Sequence, residues 1–186
     1  MPSIDRGPTL LALARASIAH SLGLEAAAVD LPAWLQVPGA CFVTLTQNGQ
    51  LRGCIGSLAA HRPLGEDVRA NAVAAALRDP RFAALAPTEL DRTRVEVSLL
   101  SPMQPLRYSS EAQALAQLRP HVDGVVLECG SHRSTFLPQV WEQLPAPREF
   151  MAQLKCKAGL SADFWSDGVR LQRYTVDKWA EEGPAE

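Results

Sequence analysis

Lysine is scarce in this 186-residue chain: Lys155, Lys157 and Lys178 are three of 18 basic residues, and the rest are Arg. Arg keeps its charge when partly buried and grips carboxylates through a planar fork. Codon bias explains the ratio as well. An excess of either charge is also missing. The net charge of −2 gives no electrostatic footprint for nucleic acid or a membrane surface. No run approaches the ~18 consecutive apolar residues of a membrane span. The Ala-rich stretch 70–77 is short and interrupted by Asn71. The start, MPSIDRGPTL, has no basic segment followed by an apolar core, so no secretory leader is expected. The four cysteines (Cys41, Cys54, Cys129, Cys156) form no C-x-x-C pair. Free thiols in a reducing, cytoplasmic home are the expectation.

Catalytic signatures are lacking as well. There is no Walker loop, G-x-S-x-G, H-E-x-x-H or dinucleotide fingerprint. Cys129 and His132 are one pair of soft ligands without a second, so no zinc site is expected. The four histidines form no motif.

The chain does carry punctuated secondary structure. Pro8 opens a helix with Leu10, Leu11, Ala14 and Ile18 at helical spacing, and Gly23 ends it. The runs 40–46 and 51–58 flank Asn48-Gly49, a strong hairpin signal because both turn residues adopt positive φ. A two-residue turn pairs Thr46 with Leu51 and Val43 with Cys54, and period two puts Arg52 and Cys54 on one face. A helix runs from Pro63 to Arg78 and stops before Pro80. Residues 94–100 read as a strand, with Glu96 and Ser98 opposite Val95, Val97 and Leu99. Ser110 caps a helix over 111–118, and a second hairpin, 124–129 with 133–137, turns at Gly130. Helices follow from Pro138 to Leu144 and from Pro147 to Gly159, and 168–176 is a last strand. Strands that do not alternate regularly with helices predict an α+β fold with an antiparallel sheet flanked by helices.

The chemistry-bearing residues are few. Gly53 and Gly56 flank Cys54; glycine within a strand marks a bulge or a close backbone approach. Cys54 reads either as a small packing residue or as a thiolate stabilised by Arg52. In the turn Asp79-Pro80-Arg81-Phe82, Asp79 pairs locally with Arg78 or Arg81 while Phe82 plugs the core, or the turn is functional. Glu96 faces solvent or a cleft. Lys157 caps a helix C-terminus or serves a site.

LRGCIGS (residues 51–57) resembles the signature of the AmmeMemoRadiSam system protein A family, the bacterial and archaeal relatives of the human protein from the AMME contiguous-deletion region. The resemblance continues through FVTL (42–45), NAVAAALRDPRF (71–82), VEVSLLSP (95–102), TFLPQVWEQ (135–143) and KAGL (157–160). It implies one domain over residues 1–186, built as a larger lobe with an antiparallel sheet and a smaller lobe with a cleft between them. The ends, 1–6 and 183–186, are expected to fray. It also implies a site drawn from Arg52, Gly53, Cys54, Gly56, Asp79, Arg81, Phe82, Glu96 and Lys157.

Cys54, Glu96 and Lys157 are the catalytic candidates. The others are candidates for binding a small anionic substrate or a partner group. The implied partners are a Memo-like protein and a radical S-adenosylmethionine protein. The chain lacks a three-cysteine cluster motif, so it is not expected to be the radical enzyme itself, and no cofactor or metal is expected in it. The competing reading is a non-catalytic docking or scaffold module for the same partners.

Overall fold

The computed structural model describes residues 6–182. Residues 1–5 and 183–186, within the ends expected to fray, lie outside the described residues. The chain divides into two compact units, one running to Leu100 and resuming at Asp177, the other spanning Ser101–Val176. Both are mixed α and β with antiparallel pairing, so the fold is α+β with two sheets where the sequence predicts one.

In the first unit, α1 (Gly7–Ser21) and α2 (Leu64–Leu77) accompany a sheet built from β1 (Ala40–Gln47), β2 (Gln50–Gly56), β3 (Arg94–Leu100) and the later β8 (Val176–Ala180). The strand order is β2-β1-β3-β8. Alternation sends Val43, Leu45, Val95 and Val97 into a core completed by Leu10, Ile18, Val68 and Ala72. The next residues along the strands, Phe42, Thr44 and Glu96, point away from that core and are half-buried.

The second unit holds β4 (Gln104–Pro105), α3 (Glu111–Gln117), β5 (Gly124–Cys129), β6 (His132–Phe136), α4 (Pro147–Lys157) and β7 (Arg170–Tyr174). Its strand order is β4-β7-β5-β6. Trp141 stacks on Phe150 at 3.7 Å in its core, and the indole donates to the Asp123 carbonyl at 2.7 Å. Ser110 caps α3 by accepting from the Gln113 amide, and Gly159 ends α4 at φ +82°.

Several boundaries differ from the sequence expectation. The predicted last strand, 168–176, is two strands in different sheets, since the chain leaves one unit near Thr175 and enters the other. The helix expected over 138–144 is a 3-10 segment, Pro138–Glu142, and 3-10 turns also form at Ala33–Gln36 and Pro87–Arg92.

The first hairpin turns as predicted, with Asn48 at φ 51° and Gly49 at φ 74°. Thr46 faces Leu51, also as predicted. Leu45 then faces Gly53, which leaves Arg52 as the extra residue of a bulge, and Cys54 lies opposite Thr44 rather than Val43. A bulge shifts the alternation by one residue, so Arg52 and Cys54 do not share a face. The two glycines have packing causes. A Cβ on Gly53 would sit 2.1 Å from the Ala75 carbonyl oxygen on α2, and one on Gly56 would sit 2.3 Å from the Phe42 ring.

Gly53→Ala should therefore lower unfolding stability by about 1–3 kcal/mol, the usual cost of forcing atoms into a packed contact. Urea denaturation checks this, with loss of less than about 0.5 kcal/mol as the contrary result.

Candidate functional site

β2 is an outer strand of its sheet. The unpaired backbone of such a strand invites another strand unless something covers it. At Cys54 the cover is a side-chain pair. Asp79, just past the C-terminus of α2, accepts the Cys54 amide on Oδ2 at 2.9 Å. Arg81 donates from Nη2 to the Cys54 carbonyl at 3.3 Å. Because both backbone groups of Cys54 point outward, Cys54 and Thr44 form a non-hydrogen-bonded antiparallel pair, the geometry in which side chains lie closest. Their Sγ and Oγ1 atoms are 3.3 Å apart.

Asp79 is 4% exposed and also accepts the Arg81 amide at 3.1 Å, Arg81 Nε at 3.0 Å and Nη2 at 2.7 Å. These bonds, led by the Arg81 side chain, hold its carboxyl well below the usual carboxylate range. The Arg81 guanidinium is held protonated chiefly by Asp79, with Cys54 a smaller contributor. Its Nη1 donates to no described residue, and the side chain is 54% exposed over the Phe82 ring, 5.4 Å from its centroid. Phe82 is half-buried and no member of the core cluster, which corrects the expectation that it plugs the core. Of the two partners foreseen for Asp79, Arg81 is the one it takes.

Arg52 has partners of its own. Rotated by the bulge, it donates Nη2 and Nε to Glu89, at 3.1 and 3.3 Å, and Nη1 to the Ala83 carbonyl at 2.9 Å. Glu89 also accepts the Ala86 amide at 2.8 Å. That bond first, then Arg52, lowers its carboxyl to about 2. Glu96, on β3, lies opposite Thr44 and so two strands from Cys54, and pairs with Lys178 at 3.3 Å. Two strand spacings, about 10 Å, therefore separate Glu96 from Cys54 along the sheet, too far for direct proton exchange. Lys157 belongs to the second unit, where Nζ donates to the Thr135 carbonyl at 2.9 Å and lies 5.1 Å from the Phe136 ring centroid.

Residue-by-residue reading missed Thr44, Glu89 and a buried network at the start of α2. There Asp67, fully buried, accepts from the Cys41 amide, Ser57 Oγ, Arg62 Nε and Asn71 Nδ2 at 2.7–3.0 Å. Two polar residues four apart, Asp67 and Asn71, on the helix stripe of Val68 and Ala72 were the available signal. Among the described residues no group of three or more His, Cys, Asp or Glu is placed to hold a metal ion. Two surface hollows of about 600 and 410 Å³ flank α1 and the segment after it, and Cys54 lines neither. No described helix is long and apolar enough to cross a membrane.

The four thiols differ in environment. Cys41 is fully buried and burial pushes it far up, whereas Cys156 is exposed and Cys54 and Cys129 are half-buried. Iodoacetamide on native protein, read by peptide mass spectrometry, should label Cys156 first and leave Cys41 unlabelled until denaturation; early labelling of Cys41 would contradict this packing. The two depressed carboxyls set an acid limit. Asp79 and Glu89 lie below their ordinary values of 3.8 and 4.5 in the folded state, so the unfolded chain binds more protons at acid pH. Their stabilisation is complete above about pH 5 and is lost as pH falls toward about 2. Asp79→Asn should flatten the dependence of the urea midpoint on pH below about 4, and an unchanged slope would count against the clamp.

The AMMECR1 family model matches residues 11–179. A Methanothermobacter thermautotrophicus protein is 37% identical over 190 residues, covering 97% of each chain. A Thermotoga maritima protein is 40% identical over 140 residues, covering 74% of this chain and 75% of the other. The crystal structure of an uncharacterized protein from Pyrococcus horikoshii superposes with a TM-score of 0.82 at 32% identity, covering 96% of this chain and 92% of that one. A match across nearly the whole chain, in sequence and in fold, makes this protein a member of the AMMECR1 family.

Proposed function

We propose that the chain is a component of an AmmeMemoRadiSam-type modification or redox pathway, with Cys54 as its reacting thiol and a small anionic substrate or partner group as what it binds. One observation carries this reading. The bulge gives Arg52 to Glu89, and Gly53 and Gly56 serve close packing, while the Cys54 thiol is left half-buried and Arg81, which holds the Cys54 carbonyl through Nη2, keeps an Nη1 that no described residue engages. A guanidinium with uncommitted N–H groups, anchored on the backbone of the same residue, suits a carboxylate, phosphate or sulfonate on the reacting molecule. The thiolate is the nucleophile or the carrier of the transferred group. Asp79 is saturated with donors, so it holds the backbone rather than carrying protons. Glu96 is left as a proton donor or acceptor for the bound molecule rather than for the thiol, and Lys157 as an anion-binding group of the second unit. The Memo-like and radical S-adenosylmethionine proteins are the proposed partners, and a reducing, cytoplasmic setting suits a free thiol.

Leu51, 43% exposed beside the hairpin turn, favours a second reading in which this edge docks a partner without chemistry. Replacement of Cys54 separates the two. In a cell-based complementation assay, Cys54→Ser and Cys54→Ala should lose function while their melting temperatures stay within about 3 °C of the parent's, the shift of a small ΔΔG. Full function in Cys54→Ser would end the thiol reading and leave docking. Failure of both partners to co-purify at micromolar concentration would count against docking.

A further inference from the structure

Thr44 has no role in the readings above, yet its hydroxyl is the side-chain group nearest the Cys54 thiol among the described hydrogen bonds. We propose that Thr44 is a positioning residue for the site: its hydroxyl orients the Cys54 sulfur and donates to it when it ionises. This rests on the proposed role of Cys54 and extends it to a residue outside the glycine-flanked signature.

Three constraints fix where the sulfur sits relative to β1. Gly53 lets β2 press onto α2, where any Cβ would strike the Ala75 carbonyl. The Asp79 carboxylate and Arg81 hold the Cys54 amide and carbonyl from outside the sheet. The antiparallel register sets Thr44 directly opposite. The Oγ1–Sγ separation of 3.3 Å is thus imposed by the frame rather than by two mobile side chains. A hydroxyl both donates and accepts, so it satisfies the neutral thiol and turns its proton toward the thiolate.

The charges around the sulfur leave this task to a neutral donor on the β1 side. On the outer edge, Arg81 is paired with Asp79. On β2 itself, Arg52 is turned to Glu89. Beyond Thr44, the carboxylate of Glu96 on β3 would oppose a thiolate, but Lys178 on β8 partners it at 3.3 Å. No described cation lies between Cys54 and Glu96 along that row. Thr44 fills the gap and stands between the two acidic groups.

The test compares Cys54 alkylation by iodoacetamide across pH in the parent protein, Thr44→Val and Thr44→Ser, each folded as judged by its thermal melt. Valine keeps the shape and suits a strand. Thr44→Val should alkylate Cys54 about three- to tenfold more slowly near neutral pH, the worth of one hydrogen bond. Its rate–pH profile should move to higher pH with the same limiting rate, and Thr44→Ser should follow the parent. A Thr44→Val profile matching the parent's overturns the proposal, and so does one lowered equally at every pH, which would mark a steric effect. If Cys54 in the parent resists alkylation until denatured, the reactive-thiol reading itself fails. That result is told apart because it needs no variant.

Discussion

The hydrogen bond from the Cys54 amide to the Asp79 carboxylate, 2.9 Å long, joins the two most distinctive segments of the chain. β2 ends its sheet, and its outward backbone groups at Cys54 would otherwise face water or a foreign strand. A carboxylate from the turn after α2 takes the amide, and the arginine two residues on takes the carbonyl. The pair stands in for a neighbouring strand one residue long. At the other end of the same helix, buried Asp67 performs a comparable service for the Cys41 amide of β1. α2 is thus fastened to the hairpin at both ends by carboxylates, with Gly53 lying against Ala75 between them.

This arrangement separates packing from chemistry within one short motif. Gly53 admits the helix, Gly56 admits the Phe42 ring, and the bulged Arg52 secures the hairpin to the segment around Glu89. Asp79 and the amide-facing side of Arg81 hold backbone. What remains unspent is a thiol, a hydroxyl and the outer nitrogen of a guanidinium. Many charged residues around one thiol would suggest a richly catalytic site. Most of those charges are instead committed to one another in pairs that fix the frame.

Local signals made much of this legible. Asn48-Gly49 predicted the turn because only residues tolerant of positive φ fit there, and Pro80 predicted the end of α2 because the residue before proline leaves helical geometry. Glycine beside Cys54 correctly signalled both a bulge and a close approach. The sequence could not say which residue was extra, since a bulge is a property of two paired strands. That ambiguity reversed the face of Arg52 and hid Thr44 as the partner of Cys54. The second sheet escaped for a similar reason: 168–176 carries one continuous strand pattern, and only tertiary pairing breaks it at Thr175. Asp67, Asn71 and Glu89 went unread because polar residues on a helix or turn are usually solvated, and their burial depends on partners distant in sequence.

Amide hydrogen exchange at Cys54 reads the Asp79 bond itself. An outer-strand amide facing away from its neighbour exchanges rapidly unless something accepts it. The clamp predicts that the Cys54 amide is protected to a degree comparable with inward-facing amides of the hairpin, and that Asp79→Ala abolishes this protection while the amides shared between β1 and β3 stay slow. A Cys54 amide that exchanges freely in the parent protein, or one whose protection survives loss of Asp79, would contradict the account.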